Sequence, residues 1–248
     1  MIKIKSNYLV VLEKERKENI KNGLYEYTLI NMSYNTNRME GSTLSLSDTK
    51  DLFERNILYT GGHNVDDIIE GKNHFSLFDF MLDTIEEPLT ERLIREYHQL
   101  LKMNTSDEAN YGIGKYKRIP NIAGEQPTAE PHEVEDLMYH LVNQYPVNDL
   151  MDILSFHLQF ELIHPFQDGN GRVGRIIMFR QCLVHNLTPF IIPSDKREEY
   201  INGLKFFDEN PTVLKNEIIN FQESYKQIAT PFLKVYSKHK KNENELER

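Results

Sequence analysis

Apolar residues recur three and four positions apart in segment after segment of this 248-residue chain. Because an α-helix turns once in about 3.6 residues, that spacing gathers them on one helical face. The pattern predicts an all-α fold in which amphipathic helices bury a common core. The predicted helices cover residues 8–21, 24–39, 46–59, 65–86, 90–103, 132–145, 149–163, 171–185, 194–207 and 211–240.

Local signals mark some helix ends. Thr90 with Glu91 in the first turn is a good start signal, and Asn148 is predicted to cap the helix that begins at Asp149. Pro231 lies inside the last predicted helix and is expected to kink or break it.

One long segment, residues 104–131, does not read as helix, because it is rich in Gly, Pro, Asn and Thr. A short hairpin is predicted within residues 116–122. An irregular insert of this length in a helical domain is often functional. The predicted fold is therefore a helical bundle with a short β-hairpin.

The chain shows no internal repeat and no low-complexity linker, so a single domain over residues 1–248 is predicted. Its net charge of -9 disfavours nonspecific nucleic-acid binding, which needs a basic surface. Cys182 is the only cysteine, which excludes an intrachain disulfide and fits the cytoplasm. No segment reaches the ~20 apolar residues of a membrane span, so a soluble protein is expected.

The chemistry is predicted to lie in the twelve residues from His164 to Arg175. The preceding helix must stop near Pro165, which leaves His164 at a rigid helix end. Gly169, Asn170 and Gly171 can adopt left-handed conformations, so their N–H groups can converge on an anion. A helix beginning near Gly171 adds its positive N-terminus to the same place.

Charged residues around this loop indicate a site for a nucleotide and magnesium. Arg172 and Arg175 are three apart, so both can reach a bound phosphate chain. Asp168 offers a hard oxygen ligand for Mg²⁺. The imidazole of histidine in model peptides has a pKa of roughly 6.5, so a histidine such as His164 suits a general base that deprotonates a hydroxyl.

Each of these residues also has a structural interpretation. The loop can be an ordinary turn, the arginines a solvated face, and His164 a capping residue. A structural turn, however, does not need the histidine, the carboxylate and both arginines at once. The combination therefore favours a phosphate-binding catalytic site.

The same stretch resembles the signature of the Fic family, His-x-Phe-x-Asp/Glu-Gly-Asn-Gly-Arg-x-x-Arg, with all eight specified positions matched. The resemblance implies a helical Fic fold with its core at residues 48–221, between a helical part at 1–47 and a helix and tail at 222–248. It also implies transfer of AMP from ATP to a Ser, Thr or Tyr hydroxyl of a protein. His164 then corresponds to the base and Asp168 to the Mg²⁺ ligand.

The resemblance also assigns the phosphates of ATP. Gly169, Asn170 and Gly171 would hold the α and β phosphates, Arg172 would contact the β phosphate, and Arg175 would pair with the γ phosphate. Phe166 would anchor the loop in the core.

A second segment, Thr36 to Gly41, resembles the family's inhibitory pattern Ser/Thr-x-x-x-Glu-Gly/Asn. Thr36 and Glu40 would share a helical face, and Gly41 can end that helix. Glu40 would then offer its carboxylate to Arg175 in competition with the γ phosphate. On its own, this short pattern would indicate only that Glu40 is a solvated carboxylate at a helix end.

The 104–131 insert lies where the family keeps a flap that pairs with the target segment. Arg118, Ile119, Asn121 and Ile122 are the predicted flap residues, and an ordinary surface loop is the alternative.

Three functions stay open on this resemblance. The first is an autoinhibited adenylyltransferase that modifies another protein or itself. The second is removal of AMP with Glu40 orienting a water, and the third is an ATP-sensing interaction module. The resemblance also admits a homodimer, whereas His157 is predicted to be a packed core residue.

Overall fold

The computed structural model describes residues 6–124 and 126–246, and within this part the regular secondary structure is almost wholly helical, as predicted. Two very short strands interrupt the helices, and a short 3-10 turn, Ser194–Lys196, precedes α10. The elements in chain order are α1 (Asn7–Glu18), α2 (Leu24–Met39), α3 (Leu46–Arg55), α4 (Val65–Asp83), α5 (Glu91–Lys102), α6 (Ser106–Asn110), β1 (Ile122–Ala123), β2 (Gln126–Pro127), α7 (Val134–Gln144), α8 (Leu150–Ile163), α9 (Asn170–Val184), α10 (Arg197–Lys205) and α11 (Pro211–Leu246).

Side-chain caps fix several helix starts. The Thr90 hydroxyl accepts a hydrogen bond from the Leu93 N–H at 3.2 Å, which confirms that start signal. The predicted cap at Asn148 is wrong by one residue, because the Asp149 carboxylate accepts from the Asp152 N–H at 3.0 Å. Asn148 instead donates to Asp152 from outside the helix.

The main core forms where α8 and α9 pack against the helices around them. Its largest residues are fully buried aromatic side chains, and each contributes about 1.5–3 kcal/mol by leaving water. Members include Phe78, Tyr97, Phe160, Phe166 and Phe179. The N-terminal helices α1 and α2 supply Leu12, Leu24 and Leu29 to this same core. The helix that carries Thr36 and Glu40 is thereby fixed against the helix that follows the predicted loop.

A second buried cluster lies on the other side of α8 and α9 and includes the only cysteine. Cys182 is a free thiol, and burial raises its pKa to about 12. A thiol in that state is neutral and packs as a small apolar residue. The cluster also contains Ile153, Met178, Phe190, Tyr200, Leu214 and Ile218.

From the sequence, Pro231 is expected to kink or break the last helix. The expectation of a break is wrong, since α11 runs from Pro211 to Leu246 with Pro231 inside. Proline removes one backbone hydrogen bond, but side chains on both sides of it are held by the core. Ala229 is buried before it, and Phe232 and Leu233 pack against the main core after it. The helix therefore continues through the proline. Glu247 and Arg248, the end of the predicted tail, lie outside the described residues.

The hairpin lies further along the chain than predicted. Ile122 is opposite Pro127 in an antiparallel pair, so strand pairing begins where residues 116–122 were expected to end. The reason is that Lys117 is bound elsewhere: its N–H donates to the Pro165 carbonyl at 2.8 Å. Backbone tied to the loop after α8 is not free to form the hairpin.

Three further helix ends fall short of the expected boundaries, and the first is that of α1, which ends at Glu18 and not at residue 21. Helix α3 ends at Arg55 and not near residue 59, because Asn56 adopts a left-handed conformation with φ 55°. Helix α4 ends at Asp83, where the predicted range reached residue 86. None of the helices in the described ranges combines the length and apolar character needed to span a bilayer.

Candidate active site

The loop between α8 and α9 begins with His164 in a left-handed conformation, φ 49° and ψ 61°. Its N–H still donates to the Phe160 carbonyl at 2.9 Å, so His164 closes the last turn of α8. A non-glycine residue at positive φ is uncommon, and Pro165 keeps the chain from continuing as helix. The imidazole is therefore held at the rigid helix end that the sequence predicts.

Phe166 anchors the loop, as predicted. Its ring is fully buried and stacks on the His98 imidazole, with ring centres 3.9 Å apart and an interplanar angle of 5°. Its backbone is held by Asn170, whose Oδ1 accepts from the Phe166 N–H and whose Nδ2 donates to the Phe166 carbonyl, both at 2.8 Å. Asn170 thus serves as a loop brace.

His98 joins the loop to the insert. Its Nδ1 accepts from the Gly114 N–H at 2.9 Å, so the proton must lie on Nε2, which donates to the Asp168 carbonyl at 3.1 Å. Burial lowers the pKa of His98 to about 3, and the imidazole is therefore neutral. A neutral histidine of one defined tautomer fixes the backbone just before Gly169.

Gly169 supplies the positive φ that the turn into α9 requires, at 80°. The helix begins at Asn170, one residue before the predicted start, and no side chain caps it in the described structure. The first N–H groups of a helix have no partner within it, so this end is suited to an anion.

Asp168 lies between two cations. Its Oδ2 accepts from Lys102 Nζ at 2.6 Å and from Arg172 Nη2 at 2.7 Å. Burial opposes ionisation of this carboxyl, but Arg172 and Lys102 outweigh it and hold the pKa of Asp168 well below its ordinary value. The side chain is half exposed, so the charged carboxylate can still reach a ligand.

Arg172 and Lys102 are held in turn by buried Glu70 of α4. Arg172 Nη1 and Lys102 Nζ both donate to the Glu70 carboxylate. Arg172 also lies 3.5 Å from Asn37 Oδ1 of α2. The Arg172 side chain is nearly fully buried, which excludes the alternative of a solvated arginine face at this position.

The donor set near Asp168 suits a hard divalent cation. One carboxylate oxygen from each of Glu70, Asp107 and Asp168 lies within 4.8 Å of the others. Such oxygens are the ligands that Mg²⁺ prefers. Lys102 Nζ is within hydrogen-bond reach of all three carboxylates, 2.5 Å from Asp107 and 2.6 Å from Asp168. The three oxygens could therefore hold a divalent cation, and the Lys102 ammonium group contacts all three carboxylates.

The two sequence segments singled out above meet at Arg175. Its Nε donates to Thr36 Oγ1 at 2.6 Å, and its Nη2 donates to the Thr36 carbonyl and to Glu40 Oε1. Helix α2 ends at Met39, and Gly41 follows with φ 96°. Thr36 and Glu40 thus contact the second arginine, and Gly41 lies just beyond the end of their helix.

Gly171 makes this contact possible. A Cβ at that position would lie 2.5 Å from Glu40 Oε1 and 2.8 Å from Arg175 Nη1. Real Cβ atoms do not approach that closely, so a side chain at position 171 would make the ends of Glu40 and Arg175 shift.

The predicted flap residues divide into two groups. Arg118, Ile119 and Ile122 are exposed on the insert. Asn121 instead braces the active-site loop, because its Nδ2 donates to the Phe166 carbonyl at 2.8 Å and its Oδ1 accepts from Lys117 Nζ at 2.7 Å. The exposed group is available to a partner, while Asn121 connects the insert to the loop.

Sequence reasoning missed four charged residues of this site: Glu70, Lys102, Asp107, and Glu161, whose carboxylate lies 3.7 Å from His164 Nδ1. Glu70, Lys102 and Asp107 lie on α4, α5 and α6, at distances along the chain that no spacing rule connects to the loop, and Glu161 lies on α8. Glu161 alone carried a local signal, because it is three residues before His164 and four after His157.

Comparison with known proteins agrees with this geometry. Residues 88–182 match the Fic/DOC family. Protein adenylyltransferase Fic of Drosophila mojavensis is 25% identical over 185 residues, which cover 71% of this chain and 36% of that protein. A probable protein adenylyltransferase of Aquifex aeolicus (strain VF5) is 32% identical over 92 residues, 37% of this chain and 28% of that protein. The chain thus spans about a third of the length of these curated relatives.

Solved structures show the same fold. A Fic domain containing signalling protein from Bacteroides thetaiotaomicron VPI-5482 superposes with a TM-score of 0.70 at 24% identity, over 93% of this chain and 95% of that one. Fic-1 from C. elegans, residues 134–508, gives 0.66 at 18% identity, over 94% of this chain and 72% of that one. With the loop residues in place, the match over residues 88–182 identifies this part of the chain as a Fic/DOC domain, and the solved structures share its fold.

Proposed function

We propose that this chain transfers AMP from ATP to a hydroxyl side chain of a protein. The hydroxyl oxygen attacks the α phosphorus, the bond from that phosphorus to the β-phosphate oxygen breaks, and pyrophosphate leaves. His164 takes the hydroxyl proton. The product is a phosphodiester between AMP and the target side chain.

The single observation that carries this proposal is the convergence of groups in one loop and the helix after it. His164 stands at the end of α8, and Asp168 precedes the uncapped N-terminus of α9. Arg172 and Arg175 follow on the first turns of that helix. An imidazole base, an anion-binding helix end and two cations are what transfer of a nucleotidyl group needs.

The phosphates of ATP would take over contacts that the protein now makes with itself. Gly169, Asn170 and Gly171 would present backbone N–H groups to the α and β phosphates. Arg172 would bind the β phosphate and Arg175 the γ phosphate, since guanidinium groups bind phosphate oxygens in a two-pronged geometry. The names of the curated relatives, protein adenylyltransferases, support ATP as the donor.

Asp168 would hold Mg²⁺ together with the phosphates. The ion would supply positive charge that neutralises the triphosphate. The half-exposed carboxylate and the neighbouring oxygens of Glu70 and Asp107 support this assignment.

Glu40 would act as a brake on transfer. Its carboxylate contacts Arg175, the residue proposed for the γ phosphate, and Thr36 contacts the same guanidinium. An ATP molecule that binds productively would have to displace this pair. Glu40→Gly is therefore expected to activate the protein.

The target would be a protein segment that carries Ser, Thr or Tyr and lies along the insert. Arg118, Ile119 and Ile122 are exposed there, and the short β1–β2 hairpin offers an edge for strand-like pairing. A segment of the same chain and a second copy of it are further substrates in this scheme.

A labelling screen tests the proposal. Wild type and Glu40→Gly are incubated with Mg²⁺, a cell lysate and ATP labelled on its α phosphate. Labelled protein bands that depend on Glu40→Gly are expected, and mass spectrometry should find the added mass of AMP. No label on any protein, including the enzyme, or an added mass other than AMP, would contradict the proposal.

A second candidate is hydrolytic removal of AMP, and one observation favours it. The Glu40 side chain is about one-third exposed beside Arg175, so its carboxylate can also orient a water. With an AMP-modified protein as substrate, wild type should then release AMP faster than Glu40→Gly. Equal release rates would remove this candidate.

A further inference from the structure

The Glu161 carboxylate of α8 lies between two imidazoles. Its Oε2 is 3.7 Å from His164 Nδ1, and its Oε1 is 3.8 Å from His157 Nε2. The three residues are spaced three and four apart, so they form one stripe along the last two turns of α8. The carboxylate therefore faces the proposed base directly.

Two atoms of this stripe are buried and lack a hydrogen-bond partner among the described residues: His164 Nδ1, which faces Glu161 Oε2, and Glu161 Oε1, which faces His157 Nε2. A buried polar atom without a partner costs about 1–3 kcal/mol, so such atoms are rare unless they have a use. Contacts at 3.7 Å are longer than hydrogen bonds, yet catalytic hydrogen bonds are often long before substrate binds. A small rotation of either side chain would close this gap.

Gly174 of α9 provides the space in which this carboxylate lies. A Cβ at Gly174 would be 2.8 Å from Glu161 Oε1 and 2.7 Å from His157 Cε1. Because α9 has no side chain here, its backbone covers the stripe, and the Glu161 side chain is only 16% exposed. The carboxylate is thus largely kept from water. In this less polar environment its interaction with an imidazole is stronger.

The surrounding groups keep Glu161 ionised. Burial opposes ionisation, but the His164 contact and the positive charge of Arg175 on α9 outweigh it and lower the pKa of Glu161. On the other side, burial lowers the pKa of His157 to about 4, so His157 is neutral, and its Nε2 is hydrogen-bonded to the Tyr200 hydroxyl of α10. An ionised acceptor therefore faces His164.

We propose that Glu161 is a positioning residue for His164. It accepts the Nδ1–H of the imidazole, which leaves Nε2 without a proton and free to take one from the substrate hydroxyl. It also stabilises the imidazolium that forms when that proton arrives. This inference rests on the proposed role of His164 as the base.

The alternative is that Glu161 only fills space between α8 and α9. Two replacements separate these roles in the full chain carrying Glu40→Gly. Glu161→Met keeps the volume and removes the acceptor, whereas Glu161→Gln keeps an acceptor and removes the charge. Gln159→Met is the matched control, because Gln159 is exposed on the same helix.

The first measurement is the tautomer of His164, read from the ¹⁵N shifts of its imidazole, with the signal assigned by its loss in His164→Ala. The parent and Glu161→Gln should carry the proton on Nδ1. Glu161→Met should lose that preference, and Gln159→Met should not. An unchanged tautomer in Glu161→Met would overturn the proposal.

The second measurement is the rate of AMP transfer. Glu161→Met should lower kcat by about 10- to 100-fold, a part of the roughly 10²–10⁴-fold that a general base contributes, with the KM for ATP within about twofold. Glu161→Gln should give an intermediate kcat. If Glu161→Met does not fold, a Glu161→Gln enzyme with the parent's kcat would overturn the proposal. A parent without transfer activity would instead count against the proposed function, and the tautomer would still decide the role of Glu161.

Discussion

Glu40 and Arg175 are 135 positions apart in the chain, yet the Glu40 carboxylate accepts a hydrogen bond from the Arg175 guanidinium. Glu40 follows the last residue of α2, and Arg175 lies in the second turn of α9. The pair therefore couples the N-terminal helices to the phosphate-binding loop. The guanidinium is buried and the carboxylate is partly exposed, so a ligand that reaches Arg175 must displace Glu40.

Removing that carboxylate should strengthen ATP binding and speed transfer. A hydrogen bond to a charged group contributes about 1.5–3 kcal/mol, so Glu40→Gly should raise ATP affinity by about 10- to 100-fold. Calorimetric titration with ATP and Mg²⁺ measures this. Glu40→Gln keeps the size of the side chain and loses its charge. Its ATP affinity should lie between those of wild type and Glu40→Gly. Equal affinity in all three proteins would exclude a competing role for Glu40.

Thr36 should contribute to the same brake, but less. Thr36→Val removes the hydroxyl that accepts from Arg175 Nε at 2.6 Å and leaves the Glu40 contact intact. Arg175 would be held less firmly, and we expect a rise in ATP affinity of a few-fold, about 1 kcal/mol for a neutral acceptor. Thr36→Ser retains the hydroxyl and should behave as wild type. A Thr36→Val protein that binds ATP more weakly than wild type would contradict this account.

Gly174 should be essential to the packing of α8 against α9. A methyl group there would lie 2.7 Å from His157 Cε1, and overpacking of this kind costs about 1–3 kcal/mol. Gly174→Ala should therefore lower the Tm by several degrees, at about 2–4 °C per kcal/mol. Gly61→Ala is the matched control, because nothing lies within 4 Å of the added Cβ. Equal melting temperatures of Gly174→Ala and Gly61→Ala would show that α8 and α9 accommodate the added methyl group without loss of stability.

Stability should fall as the pH drops below about 6.5, and His74 should account for part of the slope. His74 is fully buried on α4, and burial, together with Arg172 and Arg175, lowers its pKa to about 3 from 6.5. Between these values the unfolded chain binds a proton that the folded chain does not. The free energy of unfolding should then decrease by about 1.4 kcal/mol per pH unit for this group.

Urea unfolding between pH 7 and pH 5 measures that slope. His74→Leu should reduce the slope of the unfolding free energy against pH by the contribution of one bound proton. His140→Leu, at an exposed position of α7, should leave the slope unchanged. An identical slope in wild type and His74→Leu would mean that His74 is not buried as a neutral group.

The sequence predicts local features of this molecule well because they depend on neighbouring residues. The period of apolar residues defines the helices, and Thr90 marks a helix start by its own hydroxyl. The twelve residues from His164 to Arg175 place a base, a carboxylate and two cations on one loop and helix. These features depend only on residues that are close together in the chain, and the structure contains them.

Other features depend on contacts between distant segments. The backbone N–H of Lys117 donates to the carbonyl of Pro165, which lies 48 positions further along the chain, and this contact shifts the hairpin. Glu70 holds Arg172 from another helix, 102 positions away. Pro231 remains inside a helix because Ala229 and Phe232 pack on the same core. No local pattern reports such contacts.

The most direct test of the central claim compares Glu40→Gly with the double variant Glu40→Gly, His164→Ala in intact-mass and α-labelled ATP assays. The double variant should still bind ATP with Mg²⁺ and should transfer AMP at least about 100-fold more slowly, since a general base contributes roughly 10²–10⁴-fold. A double variant that transfers AMP as fast as Glu40→Gly would contradict the assignment of His164 as the base.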